Sequence, residues 1–130
     1  MKKASRAIIL NQERKVLLGK RARGVCMGQY TLIGGKPDTG ETAESAVVRE
    51  VKEEIGVEFT PTMYLEKIDA CSNPSDPWIV SYFVGEITGK IKPNELEVEK
   101  VVFVSKEDLD RLNIAFDQKE ILKEYFQSRK

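Results

Sequence analysis

Glu50, Glu53 and Glu54 stand three and four residues apart in "GGKPDTGETAESAVVREVKEEIG", residues 34–56, so on an α-helix their carboxylates share one face. Stepping about 100° per residue from Glu50 puts Glu54 near +40° and Glu53 near −60°. That arc borders the stripe Val47, Val51 and Ile55, so the acids sit at the edge of the face that packs. Carboxylates crowded in this way share protons, shift their pKa values or bind a cation. The competing reading is a solvated helix face whose glutamates are offset by Arg49 and Lys52. Hard divalent ions such as Mg²⁺ or Mn²⁺ take oxygen ligands, and Mg²⁺ binds through one or two carboxylates plus substrate phosphates. The preceding "GGKPDTGE" joins a glycine pair, a lysine and a helix start, the ingredients of a phosphate-handling turn. No Gly-Lys-Ser/Thr follows, so it is not a P-loop. Loop and helix together point to Mg²⁺-assisted chemistry on a phosphorylated substrate.

The elements that must position these residues read as strands around a central helix. "RAIILN" and "KVLLGKR", separated by the polar "NQER", look like a hairpin. A loop with five glycines from Gly24 to Gly40 follows, long for a compact domain and therefore a candidate functional segment. The helix is expected from about Thr42 to Ile55, stopped by Gly56. "VEFTPTMYLEKIDA", "WIVSYFVGEI" and "EKVVFVS" read as strands, the first two joined by "CSNPSDP". Ser105 with Asp108 approaches a capping box, and a last helix runs from about Asp117 to Gln127. The expectation is one mixed α/β layered domain spanning residues 1–130.

Composition narrows the chemistry. There is no histidine, which excludes His-based acid–base catalysis, His metal ligands and a Ser-His-Asp triad. Lys plus Arg equals Asp plus Glu at 21 each, so net charge gives no reason to expect a nucleic-acid polymer or a membrane as partner. The opening residues lack a signal-peptide pattern and no apolar run approaches a bilayer span. Cys26 and Cys71 have no zinc spacing and read as free thiols of a reducing compartment, which favours the cytoplasm.

The stretch from Gly35 to Val57 resembles the Nudix box: Gly, five residues, Glu, seven residues, Arg-Glu-aliphatic-x-Glu-Glu-x-Gly-aliphatic. Gly35, Glu41, Arg49, Glu50, Val51, Glu53, Glu54, Gly56 and Val57 fill every fixed position. Within the family the segment looks most like the MutT-type nucleoside triphosphate pyrophosphohydrolases. One departure is Ile33 where many members carry proline before the glycine pair. It frees φ and restores an N–H there.

The resemblance implies an α/β/α sandwich with a mixed sheet, and hydrolysis of a nucleoside triphosphate to monophosphate and pyrophosphate. Its rivals are cleavage of ADP-ribose or another nucleoside diphosphate derivative, and a non-catalytic nucleotide sensor. Carried over, Glu50, Glu53 and Glu54 hold Mg²⁺ (or Mn²⁺) with the Gly34 carbonyl, and Arg49 orients neighbouring glutamates, among them Glu41. A further ligand is expected from Glu95, Glu97 or Glu99, with Glu97 favoured, and the general base is Glu50 or Glu53. Arg21, Arg23 and Lys36 are candidates for phosphate contact. Asp117 is either a purine-edge reader or a helix cap with Glu120. Trp78, Tyr82 and Phe83 read as packing residues, as does Tyr30, which also offers a ring to a base. The implied partner is a small nucleotide, and relatives of this kind are frequently homodimers.

Overall fold

A computed structural model describes residues 2–69 and 75–129. Its strands are β1 (Lys2–Ile9), β2 (Val16–Arg21), β3 (Tyr30–Thr31), β4 (Ile33–Gly35), β5 (Glu58–Asp69), β6 (Trp78–Thr88) and β7 (Val98–Val104). The helices are α1 (Ala43–Ile55) and α2 (Gln118–Ser128), with a 3₁₀ turn over Lys106–Arg111. One sheet runs β4-β1-β6-β5 and a second runs β3-β2-β7. β1 and β6 are parallel and the other pairs are antiparallel.

Strand alternation explains the layering. Ala4 and Ile8 of β1 join Val80 and Tyr82 of β6 in a core completed by Ile121, Leu122 and Tyr125 of α2. Ala7, Ile9 and Phe83 point the other way, into a core completed by Val47, Val51 and Ile55 of α1. Residues one apart on a strand serve opposite faces, so the strands are buried on both sides, between two helices. This is the α/β/α sandwich expected of the sequence. Tyr82 and Phe83, both almost fully buried, divide between the two layers.

Two expectations need correction. β1 and β2 do not form a hairpin ladder: the turn between them closes on the single bridge Leu10–Val16, after which the strands diverge into different sheets. Each finds a longer partner, β1 along β6 and β2 along β7. The glycine-rich segment is also not all loop. Thr31 pairs with Gly19, and Gly34 and Gly35 pair with Arg6 and Ser5, which ties the residues ahead of α1 into both sheets. The thiol of Cys26 is free, while Cys71 lies outside the described residues.

Candidate active site

α1 is anchored at both ends. The Thr42 hydroxyl accepts the Ser45 N–H at 3.0 Å, the N-cap arrangement that satisfies a helix-start donor. At the other end Gly56 adopts φ 74° and returns its N–H to the Lys52 carbonyl, a left-handed stop that glycine tolerates best. The carbonyls of Glu54 and Ile55 accept the N–H groups of Asn94 and Lys92 at 2.8 Å each. The segment between β6 and β7 is therefore latched onto the end of α1. Asn94 then closes a turn that receives the Glu97 and Val98 N–H groups, setting Glu97 beside the helix glutamates. Glu97 lines the same cavity as Glu50, Glu53 and Glu54, whereas Glu95 and Glu99 do not; Glu99 instead meets Lys20 at 3.5 Å.

Arg49 organises the acids by direct contact. It makes a two-pronged contact with Glu41, Nε to Oε2 and Nη2 to Oε1, both at 2.9 Å. Nη1 donates to Glu50 at 2.9 Å and Glu53 at 3.1 Å, and Nη2 also donates to the Lys36 carbonyl at 3.0 Å. The paired charges act on both partners: Glu41 raises the Arg49 pKa, and Arg49 holds the Glu41 carboxyl below its usual value. Arg49→Lys keeps the charge but loses the fork. We expect it to lower turnover at least tenfold with little change in thermal midpoint, read by steady-state kinetics and melting on the same sample.

The three helix acids do not behave alike. Glu53 is exposed and turned to Arg49, while Glu50 lies under Gly35 and Glu54 crowds against Glu50. Burial is the main cause, and Glu50 the next, of a Glu54 pKa pushed up to about 8. Glu54 Oε2 is buried with no hydrogen-bond partner among the described residues. Among those residues no three His, Cys, Asp or Glu side chains converge into a ready-made metal cage, because Arg49 draws Glu50 Oε1 and Glu53 toward itself. The expected three-carboxylate cluster is thus a close pair with a third acid held alongside. An all-oxygen donor set with an orphaned buried oxygen fits Mg²⁺, which takes one or two carboxylates and keeps several waters.

These residues lie along a cavity of about 610 Å³. Arg21, Arg23, Lys36 and Gly34 line it, as do Trp78, Tyr82 and Phe116. Arg23 ion-pairs with Glu97, Arg21 Nε donates to the Val25 carbonyl at 2.7 Å, and Lys36 sits 5.0 Å above the Trp78 ring. Trp78 is therefore a wall residue as well as a packing one. Tyr30 packs against the α2-side core instead.

Asp117 is the N-cap residue of α2 by position, yet its side chain makes no capping bond. Its carboxylate accepts from the Tyr82 hydroxyl at 3.4 Å and lies 3.8 Å from Lys67, so the expected capping box is replaced by a tie to the sheet. It does not line the cavity; Gln118, the next residue, does. Ser105 and Asp108 do form their expected pair, the Asp108 carboxylate accepting the Ser105 N–H at 2.9 Å and hydroxyl at 3.0 Å.

Sequence reasoning overlooked Arg6, Phe116 and Gln118. Arg6 was hidden within an apolar strand and Gln118 within an ordinary helix start. An arginine inside a short buried strand was the available signal, since arginine is almost never fully buried unless paired.

The family model for the NUDIX domain matches residues 1–125. The ADP-ribose pyrophosphatase of Methanocaldococcus jannaschii is 32% identical over 120 residues, covering 90% of this chain and 69% of that protein. The human 8-oxo-dGDP phosphatase NUDT18 is 31% identical over 93 residues, 72% of this chain but only 28% of that protein. The MutT protein of Methanosarcina mazei Go1 superposes with a TM-score of 0.79 over 98% of this chain and 91% of that one, at 22% identity. The chain belongs to the Nudix hydrolase family, with a MutT-like fold.

Proposed function

We propose that residues 1–130 form one Nudix domain that acts in the cytoplasm on a nucleoside triphosphate. It splits that substrate into monophosphate and pyrophosphate with Mg²⁺ or Mn²⁺. The observation that carries this reading is the unpartnered Glu54 carboxylate oxygen beside Glu50, on the wall of a cavity that also carries arginines, a lysine and aromatic rings. Glu50, Glu53, Glu54 and Glu97, with the Gly34 carbonyl, are the residues that would hold the metal. Bound there, the ion supplies charge neutralisation of the polyphosphate and acidification of the attacking water.

The chain's own groups do the rest. Glu50, or Glu53 in its place, accepts the proton of the attacking water as the new phosphorus–oxygen bond forms and the anhydride bond between the α- and β-phosphorus groups breaks, so that the chain parts into nucleoside monophosphate and pyrophosphate. Arg49 keeps both acids aimed by the contacts described. Arg21, Arg23 and Lys36 hold phosphate oxygens, Arg23 and Lys36 by leaving Glu97 and Trp78 for a more strongly charged partner. Asp117, proposed as the purine-edge reader, accepts a hydrogen bond from Tyr82, which lines the cavity.

A second reading, cleavage of ADP-ribose, is favoured by the name of the archaeal relative that matches 90% of this chain. A panel of ordinary and oxidised nucleoside triphosphates and diphosphates together with ADP-ribose decides between them. Pyrophosphate release from triphosphates with Mg²⁺, abolished by chelator, is the expected result. Release of AMP and ribose phosphate from ADP-ribose alone would transfer the assignment to the second reading. Binding without any turnover would sink both.

A further inference from the structure

Arg23 and Glu97 stand on different loops, one between β2 and β3 and the other between β6 and β7, and both line the cavity. Their side chains form an ion pair in which each is the other's only side-chain partner among the described residues. Neither loop depends on that pair for its shape. The Ala22 N–H donates to the Glu97 carbonyl at 3.0 Å, and the Glu97 N–H to the Asn94 carbonyl at 2.9 Å. On the other loop the Gly28 N–H donates to the Arg21 carbonyl at 2.9 Å and Arg21 Nε to the Val25 carbonyl at 2.7 Å. These bonds hold both residues in place, so the ion pair can open by side-chain rotation alone.

The contrast with Arg49 shows which contact can be exchanged. Arg49 is 27% exposed and is anchored by the Glu41 fork and the Lys36 carbonyl as well as by Glu50 and Glu53. Losing one acid leaves it the others. Arg23 and Glu97 are 66% and 42% exposed and have only each other. An exposed pair of this kind is worth little, because water screens it and holding two long side chains together costs entropy. The charge of Glu97 also reaches Glu54, adding to burial and to Glu50 in pushing that carboxyl up. Arg23 therefore sits where a cation relieves crowded negative charge, on a contact weak enough to surrender.

We propose that Arg23 is the resident counter-ion of Glu97 in the metal-free protein, and that it gives up Glu97 to a divalent cation and passes to a substrate phosphate. The inference rests on the nucleotide reading above, with Glu97 as a ligand. It makes metal and phosphate binding mutually reinforcing. Arg23 competes with the metal while it is tied to Glu97, and it grips the phosphate once released. By linkage, a phosphate that captures Arg23 also vacates Glu97 for the metal.

The test is Mn²⁺ binding to the nucleotide-free protein, read from the paramagnetic resonance of free Mn²⁺ for wild type, Arg23→Gln, Glu97→Gln and the double variant. Arg23→Gln should bind Mn²⁺ about twofold to fivefold tighter, the range an exposed ion pair is worth, and Glu97→Gln should bind it more weakly. In the Glu97→Gln background, Arg23→Gln should make no further difference. Unchanged or weaker binding by Arg23→Gln would overturn the proposal. Equal tightening in both backgrounds would assign the effect to long-range charge and overturn it likewise. At saturating Mg²⁺ Arg23→Gln should raise the nucleotide KM, and an unchanged KM would refute the handover to phosphate. If a variant does not fold, the wild type decides: Mg²⁺ added without nucleotide should shift the Arg23 side-chain N–H resonances, and resonances that stay in place at saturation refute the displacement. Turnover of triphosphates without this competition would leave the proposed function standing and defeat the exchange; competition without turnover of any nucleotide would do the reverse.

Discussion

Glu54→Gln should lower turnover by at least a hundredfold while raising the thermal midpoint of the metal-free protein at pH 8. The two effects have one cause. In the folded chain the Glu54 carboxyl is pushed up to about 8, first by burial and then by the charge of Glu50, against an ordinary value of 4.5. A carboxyl whose folded pKa is raised favours folding when protonated. Its contribution is complete below pH 4.5 and is lost as pH rises through about 8. Metal-free wild type should thus melt at progressively lower temperature from about pH 5 to pH 8, and Glu54→Gln should flatten that slope. Added Mg²⁺ should raise the wild-type midpoint above pH 7, because a ligand that binds only the folded state stabilises it, and should do so much less in the variant. A flat wild-type profile without metal would remove the basis for placing a strained carboxylate at the site.

Glu53→Gln supplies the contrast. Its side chain is 57% exposed and bonded to Arg49, so little stability is at stake. Turnover should fall by orders of magnitude with the midpoint unchanged, and full activity in this variant would remove Glu53 from the metal site. The difference between Glu53 and Glu54 is a difference between two edges of one helix. Glu54 is buried against Glu50, and Glu53 faces water.

That asymmetry marks the limit of what could be read in the residues alone. The spacing of Val47, Val51 and Ile55, the Thr42 cap and the Gly56 stop are local signals, and α1 appears where they place it. The Nudix pattern likewise needed nothing beyond one loop and one helix. The site becomes non-local at Glu97, which reaches the cluster only because Asn94 and Lys92 bond the last carbonyls of α1; no periodicity encodes that docking. The absent hairpin has the same origin. Two strands flanking a short turn look self-pairing, but β6 offers β1 a partner along its whole length, and β7 offers the same to β2. Asp117 shows tertiary context overriding a local motif: with Glu120 three residues on it reads as a cap, yet Tyr82 claims its carboxylate.

The adjacent glycines of the box should fail in opposite ways when given a methyl group. A Cβ on Gly34 would lie 2.0 Å from the Ser5 carbonyl oxygen and 2.9 Å from the Arg6 Cα. These are main-chain atoms of the paired strand, in register with Gly34 and Gly35. They can yield only by opening the β1–β4 pairing, so Gly34→Ala should cost about 3 kcal/mol or more of stability. A Cβ on Gly35 meets no main chain within that range but lies 2.5 Å from the Glu50 Cδ and 2.7 and 2.8 Å from its oxygens. A side chain can swing away, so Gly35→Ala should fold with a midpoint close to wild type. Its Glu50 carboxylate would, however, be displaced by about an ångström, a shift of the size that costs on the order of a hundredfold in rate. Chemical denaturation and steady-state kinetics on both variants separate the two outcomes. Gly34 is required by the sheet and Gly35 by the carboxylate beneath it. If Gly35→Ala kept full turnover, Glu50 would have no positional role in the reaction.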